Sequence, residues 1–214
     1  MSQVRQNVRI RFCKQGEVRF ISHHDLMRVF ERALRRTRLP FATSEGHNPR
    51  PRLSFPMALS VGHTGRNEVL DVGLREWTRP DEVKERLQAE LPEGIGILSA
   101  QAAPVNANRE PRELAYRVPL LPTHTVTEAG VQALLDSDRA VVRRVRERSV
   151  REVEVRQFIK ALRLGGDSLE MLIRYTPEGT ARPEEVLELL GCRPDVDYRK
   201  SAIERTNVSL PPLR

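Results

Sequence analysis

Apolar and basic residues alternate from Val8 to Phe12, the period-two pattern of a strand with one face in a core. Beyond the turn-like Lys14-Gln15-Gly16-Glu17, a second short run from Val18 to Ile21 predicts the other arm of a hairpin. The period then changes. Ser22 stands three residues before Asp25, a capping-box spacing, and opens a helix predicted to run to about Arg38, where Leu39-Pro40 stops it. On that helix Leu26, Phe30, Ala33, Leu34 and Thr37 share one side at a 3.6-residue repeat. Arg28, Arg32, Arg35 and Arg36 share the opposite side, so the first set should pack inward and the second should face solvent or a partner. After a loop rich in Asn, Pro and Arg come strand-like runs at Leu53 to Gly62 and Glu68 to Leu74. A Pro-initiated helix from Pro80 follows, carrying Val83, Leu87 and Leu91, and then a strand from Ile95 to Ala100.

Residues 104–111 turn polar and lose periodicity, which suggests a linker. The element order then recurs: a strand at Leu114 to Leu120, a helix capped by Thr125-Val126-Thr127-Glu128, strand-like runs at 140–146, 152–163 and 168–175, a helix at about 183–190 and a strand at about 202–209. Gly165-Gly166-Asp167 is read as the hairpin turn between two of these runs. A short echo supports the recurrence: Arg79-Pro80-Asp81-Glu82-Val83 and Arg182-Pro183-Glu184-Glu185-Val186 lie 103 residues apart and each opens a helix. The fold expected is therefore α+β, two tandem ferredoxin-like (βαββαβ) halves with antiparallel sheets, spanning residues 1–103 and 113–214.

Charge changes this picture more than composition does. Residues 1–55 carry 12 of the 36 Lys and Arg but only 4 of the 29 Asp and Glu, which leaves 24 against 25 in the rest, so the excess positive charge lies in the first quarter of the chain. Such asymmetry marks a surface that meets phosphate or acidic protein. Aromatic residues make up only 5% of the chain, which limits base stacking and leaves electrostatics as the route to nucleic acid. Cys13 and Cys192 stand far apart, with no Cys or His at metal-ligand spacing beside them, and are read as inert thiols in a reducing cytosol. The N-terminus has no apolar run of a secretory signal and no stretch is long and apolar enough to span a bilayer, so a cytoplasmic protein without membrane partners is expected. Phosphate-binding glycine loops, nucleophile elbows and H-E-x-x-H zinc motifs are absent from the sequence.

The string KQGEVRFISHHDLMR from Lys14 to Arg28, continued by Phe30, Arg32, Ala33, Leu34, Arg35 and Arg36, closely resembles the opening of the radical-SAM-linked protein family. The resemblance extends through SEGHNPRPRLSF at Ser44 to Phe55, Glu68 to Val72, Gly179 to Leu187, and Arg205-Thr206. It implies a domain that accompanies a radical-SAM enzyme, fused or separately encoded, in RNA modification or ribosome-related metabolism. This chain has no C-x-x-x-C-x-x-C triplet, so S-adenosylmethionine and an iron–sulfur cluster would be held only by that partner, and no cofactor is expected on the chain itself. Three positions depart from the family pattern: His24 for Leu, His47 for Phe and Arg50 for His. The last argues against an acid–base or ligand role there.

Candidate site residues follow from charge and spacing. Arg19, His23, His24, Arg28, Arg32, Arg35 and Arg36 lie on or beside the basic helix, whose first turn presents free N–H groups to an anion. Asn48, Arg50 and Arg52 sit in a loop stiffened by Pro49 and Pro51, which lowers the entropy lost when guanidinium groups engage phosphate. In the stretch Arg139 to Arg163, with 9 basic against 3 acidic residues, Arg144, Arg146 and Arg148 share strand parity and form a second candidate ladder. His23 with Asp25 is acid–base material as well as cap material. Three readings result: an accessory RNA-binding module working with a radical-SAM enzyme, an RNA-processing or RNA-modifying enzyme using His23 and Asp25, and a docking adaptor for an acidic protein.

Overall fold

The architecture comes from a computed structural model that describes residues 3–122, 124–146, 149–192 and 203–213. The chain divides into two compact units, Met1–Glu110 with Leu210–Arg214, and Pro111–Ser209.

In the first unit, β1 (Gln6–Lys14) leads through a short 3-10 turn (Gly16–Phe20) into α1 (His23–Thr37). There follow β2 (Leu53–Ser54), β3 (Thr64–Leu74), α2 (Pro80–Gln88) and β4 (Ile95–Ala103). The pairing is antiparallel throughout, in the order β2-β3-β1-β4. The second unit contains β5 (Glu113–Pro119), α3 (Glu128–Asp136), the hairpin β6 (Val141–Arg146) with β7 (Ser149–Glu154), β8 (Ile159–Gly165), β9 (Ser168–Thr176), β10 (Gly179–Thr180), α4 (Pro183–Leu189) and β11 (Glu204–Ser209). Here β9 pairs with β8 and β10, β5 with β9, and β11 with β5, again antiparallel, while β6 and β7 form a separate two-stranded sheet. The protein is thus a mixed α/β chain of four described helices on mostly antiparallel sheet.

Alternation explains the core of the first unit. Val8, Ile10 and Phe12 on β1 and Leu70, Val72 and Leu74 on β3 point to one face, where they meet Leu26, Phe30, Ala33 and Leu34 of α1 and Val83 and Leu87 of α2. The five apolar-side positions named for α1 are its five buried residues. Phe12, Phe30 and Phe55 meet edge to face at centroid distances of 5.1 to 6.0 Å, a geometry that aromatic quadrupoles favour.

Three local expectations are corrected. Val18 to Ile21 is not a strand: both edges of β1 are taken, by β3 and β4, so no ladder is open to a hairpin arm. The chain coils instead, with Gly16 at φ +64° and the buried Lys14 Nζ donating to the carbonyls of Arg19 and Ile21 at 3.2 and 3.1 Å. Of the run from Leu53 to Gly62 only Leu53–Ser54 pairs, because Pro56 has no N–H for a ladder, and β3 starts at Thr64. The 152–163 run is two strands broken by a 3-10 turn at Arg156–Phe158, where Val155 N–H bonds back to the Ala140 carbonyl.

Residues 104–109 are more than a linker. Asn7 Nδ2 donates to the carbonyls of Pro104 and Val105, and Arg9 Nη2 to that of Asn108, which straps the segment over the sheet face opposite the helices.

Candidate nucleic-acid interface

Ser22 caps α1 by accepting the Asp25 N–H at 3.1 Å, and its hydroxyl donates to Asp25 Oδ2 at 2.7 Å. Arg28 Nη1 donates to Asp25 Oδ1 at 3.3 Å. The Ser22 hydroxyl chiefly, with help from Arg28, holds the Asp25 carboxyl below its ordinary range. Asp25 is therefore a charged cap. His23 packs its ring edge-to-face on Phe55 at 5.4 Å, as an extension of the aromatic cluster, and lies 6.2 Å from the His24 ring, which is exposed.

The loop after α1 is closed on itself. Ser44 N–H donates to the Arg50 carbonyl at 2.8 Å, the Arg50 N–H donates to Ser44 Oγ at 3.0 Å, and Thr43 bridges to Pro51. This clasp carries Asn48 and Arg50 against the polar side of α1, where Arg35 Nη2 donates to the Pro49 carbonyl at 2.8 Å. A shallow cleft of about 340 Å³ results, lined by Arg28, Glu31, Arg35, Asn48, Pro49 and Arg50. The helix and the proline loop, separate candidates by sequence, thus form one basic surface. Arg32 lies exposed on the same helix.

Other candidates are placed differently. Arg36 turns away to Glu90, with Nε 2.6 Å from Oε2 and Nη2 2.6 Å from the backbone carbonyl, and so ties α1 to the end of the α2 region. Arg19 lays its guanidinium 4.6 Å over the Phe20 ring. Arg144 pairs with Glu185 through Nε and Nη2 at 2.6 and 2.9 Å and donates to the Thr180 carbonyl, an ion pair that anchors the start of α4. Its cross-strand neighbour is Arg151, whereas Arg143 stands opposite Glu152. The side chain of Arg146, and Arg148 altogether, lie outside the described residues. Arg52 belongs to a second cleft, on the other side of the loop.

That second cleft was not foreseen. Arg9 and Asp71 are direct cross-strand partners on β1 and β3, on the face opposite the core, yet only 2% and 1% exposed. Arg9 Nε and Nη2 donate to the two Asp71 oxygens at 2.8 and 3.0 Å, and Arg109 Nε donates to Oδ2 at 2.9 Å. Arg11, next along the same face, is pushed below its ordinary pKa by burial and by the Arg9 charge. The signal in the sequence is Asp71 itself, a residue type depleted from strands, inside the run Val69-Leu70-Asp71-Val72.

Among the described residues no group of three or more His, Cys, Asp or Glu is placed to hold a metal. Both cysteines are free thiols, and burial raises the Cys192 thiol above its usual pKa. No described helix is long and apolar enough to cross a membrane.

Fold and surface together define a mixed α/β protein of mostly antiparallel sheet that presents an arginine-lined cleft beside a capped helix. Residues 7–183 match the family described as "Uncharacterized protein conserved in bacteria (DUF2344)", and the chain belongs to that family. No curated protein matches the chain.

Proposed function

We propose that the first unit binds RNA through its phosphates at the cleft between α1 and the 44–52 loop, and that the chain serves as the accessory partner of a radical-SAM enzyme. In this reading each unit is a ferredoxin-like half, a view supported by the matching pairing orders β2-β3-β1-β4 and β8-β9-β5-β11. The observation that carries the binding surface is the Arg35–Pro49 hydrogen bond, which holds Arg28, Arg35 and Arg50 about one concavity with Asn48. Arginines restrained in this way lose little entropy on meeting phosphate, and their forked donors suit its oxygens. The acid–base alternative is weakened because the Asp25 carboxylate is already engaged by the Ser22 hydroxyl and by Arg28.

The test is RNA affinity, by fluorescence anisotropy, of the full chain and of Arg28→Glu, Arg35→Glu and Arg50→Glu. Each reversal should weaken binding of a structured RNA by about tenfold or more, whereas His23→Ala should leave it within about threefold. Copurified protein should include a radical-SAM enzyme, and bound RNA should be recoverable for sequencing. Undiminished affinity in all three reversals would overturn the assignment, and RNA turnover that vanishes with His23→Ala would replace it with the enzymatic reading.

A further inference from the structure

The cleft on the opposite side of the 44–52 loop has a chemistry of its own. It measures about 460 Å³ and is edged by Asn7, Arg52, Ser54, Asp71, Gly73 and Arg109, on the sheet face strapped by residues 104–109. Asp71, which lines it, is bonded to the buried Arg9 of the neighbouring strand. The three N–H donors from Arg9 and Arg109 occupy both carboxylate oxygens, so Asp71 offers a ligand little acceptor capacity and serves instead to fix two guanidinium groups. Of the charged residues that line the cleft, Arg52 and Arg109 outnumber Asp71, whose charge the buried Arg9 already pairs, which leaves the cleft cationic.

Arg109 is the informative residue. Its Nε is spent on Asp71, its side chain is 38% exposed, and the Nη edge makes no hydrogen bond among the described residues. A guanidinium clamped through Nε presents a rigid two-nitrogen fork, the geometry that receives a tetrahedral oxyanion. Arg52 enters from the loop. It and Val4 pass so close to β3 that a Cβ at position 73 would lie 3.4 Å from Arg52 Cβ and 3.1 Å from Val4 Cγ2, so glycine keeps this wall of the cleft tight. Ser54, which pairs with Asp71 across β2 and β3, lines the same cleft.

We infer that this cleft is an oxyanion site that takes a phosphate group, with Arg109 and Arg52 as its direct contacts and Asp71 as the residue that positions Arg109. The inference does not depend on RNA binding at the α1 cleft. A lone phosphate and the terminal phosphate of a nucleic acid offer the same chemistry, and the experiment separates them.

Inorganic phosphate is titrated into the full chain by calorimetry, alongside Arg52→Gln, Arg109→Gln and, as a control, Arg174→Gln at an exposed arginine that lines neither cleft, with melting curves for each. Wild type should show saturable binding of phosphate. Arg52→Gln, expected to melt like wild type, and Arg109→Gln, expected to melt a few degrees lower because the buried Asp71 loses one hydrogen bond, should each weaken it by about tenfold, the loss of one charge-assisted contact, while Arg174→Gln should leave it unchanged. Competition by a 5′-phosphorylated oligoribonucleotide, but not by its 5′-hydroxyl counterpart, would identify the source as an RNA end. Competition by neither would identify a free small anion. Absence of saturable binding, undiminished binding in both Arg52→Gln and Arg109→Gln, or an equal loss in Arg174→Gln would overturn the inference.

Discussion

At the scale of single residues, the chain concentrates its buried charge where the alternation of β1 promises solvent. Arg9 and Asp71 are both almost wholly inaccessible and bonded to each other. Burying an ion pair gains little over burying hydrocarbon, but removing one partner strands the other. Asp71→Ala should therefore destabilise the protein by about 3–5 kcal/mol, whereas the double replacement Arg9→Met with Asp71→Leu should recover most of that loss. Urea denaturation of the single and double variants checks this. Equal destabilisation by both would mean that the cost comes from packing and not from the unpaired guanidinium. By contrast, the exposed Arg28–Asp25 contact is screened by water and belongs to the helix cap more than to stability.

At the scale of elements, α1 has a well-made beginning and a strained end. Ser22 satisfies an N–H at the first turn, and Leu26, Phe30, Ala33 and Leu34 then fix the buried stripe. The helix ends at Arg38, which adopts φ 56° and ψ 18°, the only positive φ of any non-glycine residue among those described. A Cβ in the left-handed region costs about 1 kcal/mol, and glycine relieves it at the usual position for a helix terminus. Arg38→Gly should raise stability by about 0.5–1 kcal/mol, net of the extra backbone freedom of glycine in the unfolded chain. A lowered melting temperature would show that the Arg38 side chain contributes more than its backbone costs. The helix start was legible because a cap is a local interaction. The strained end was not, since no turn residue such as glycine or asparagine announces it.

At the scale of the whole molecule, charge and topology separate. The first 55 residues carry 12 basic against 4 acidic residues, and the cleft of Arg28, Arg35 and Arg50 lies within them. Binding there should be electrostatic first, because the aromatic rings of this region are largely engaged in its core, as Phe12, Phe30 and Phe55 are. RNA affinity should fall linearly on a log–log scale as salt rises, and Arg50→Gln should make the slope shallower by about one unit. Equilibrium titrations at several salt concentrations measure both, and a salt-independent affinity would contradict the phosphate reading. The net count does not reveal which arginines are available. Arg36 and Arg144 are equivalent to the others in charge, but Glu90 and Glu185 hold them.

What the sequence by itself determined is what short-range physics controls: the two Pro-initiated helices at Pro80 and Pro183, the capped α1 with its buried stripe, the turn at Gly166 with φ +56°, and the location of the basic excess. Each depends on residues within a turn or two of one another. The tertiary structure alone decided which strands pair, and that outcome in turn closed both edges of β1, turned Val18 to Ile21 into a coil and set Arg9 opposite Asp71. It likewise brought Arg35 to Pro49, 14 residues away, and Arg109 to Asp71, 38 residues away. Hydrophobic periodicity specifies which face of an element is buried, but not which other element, or which charge, will lie against it.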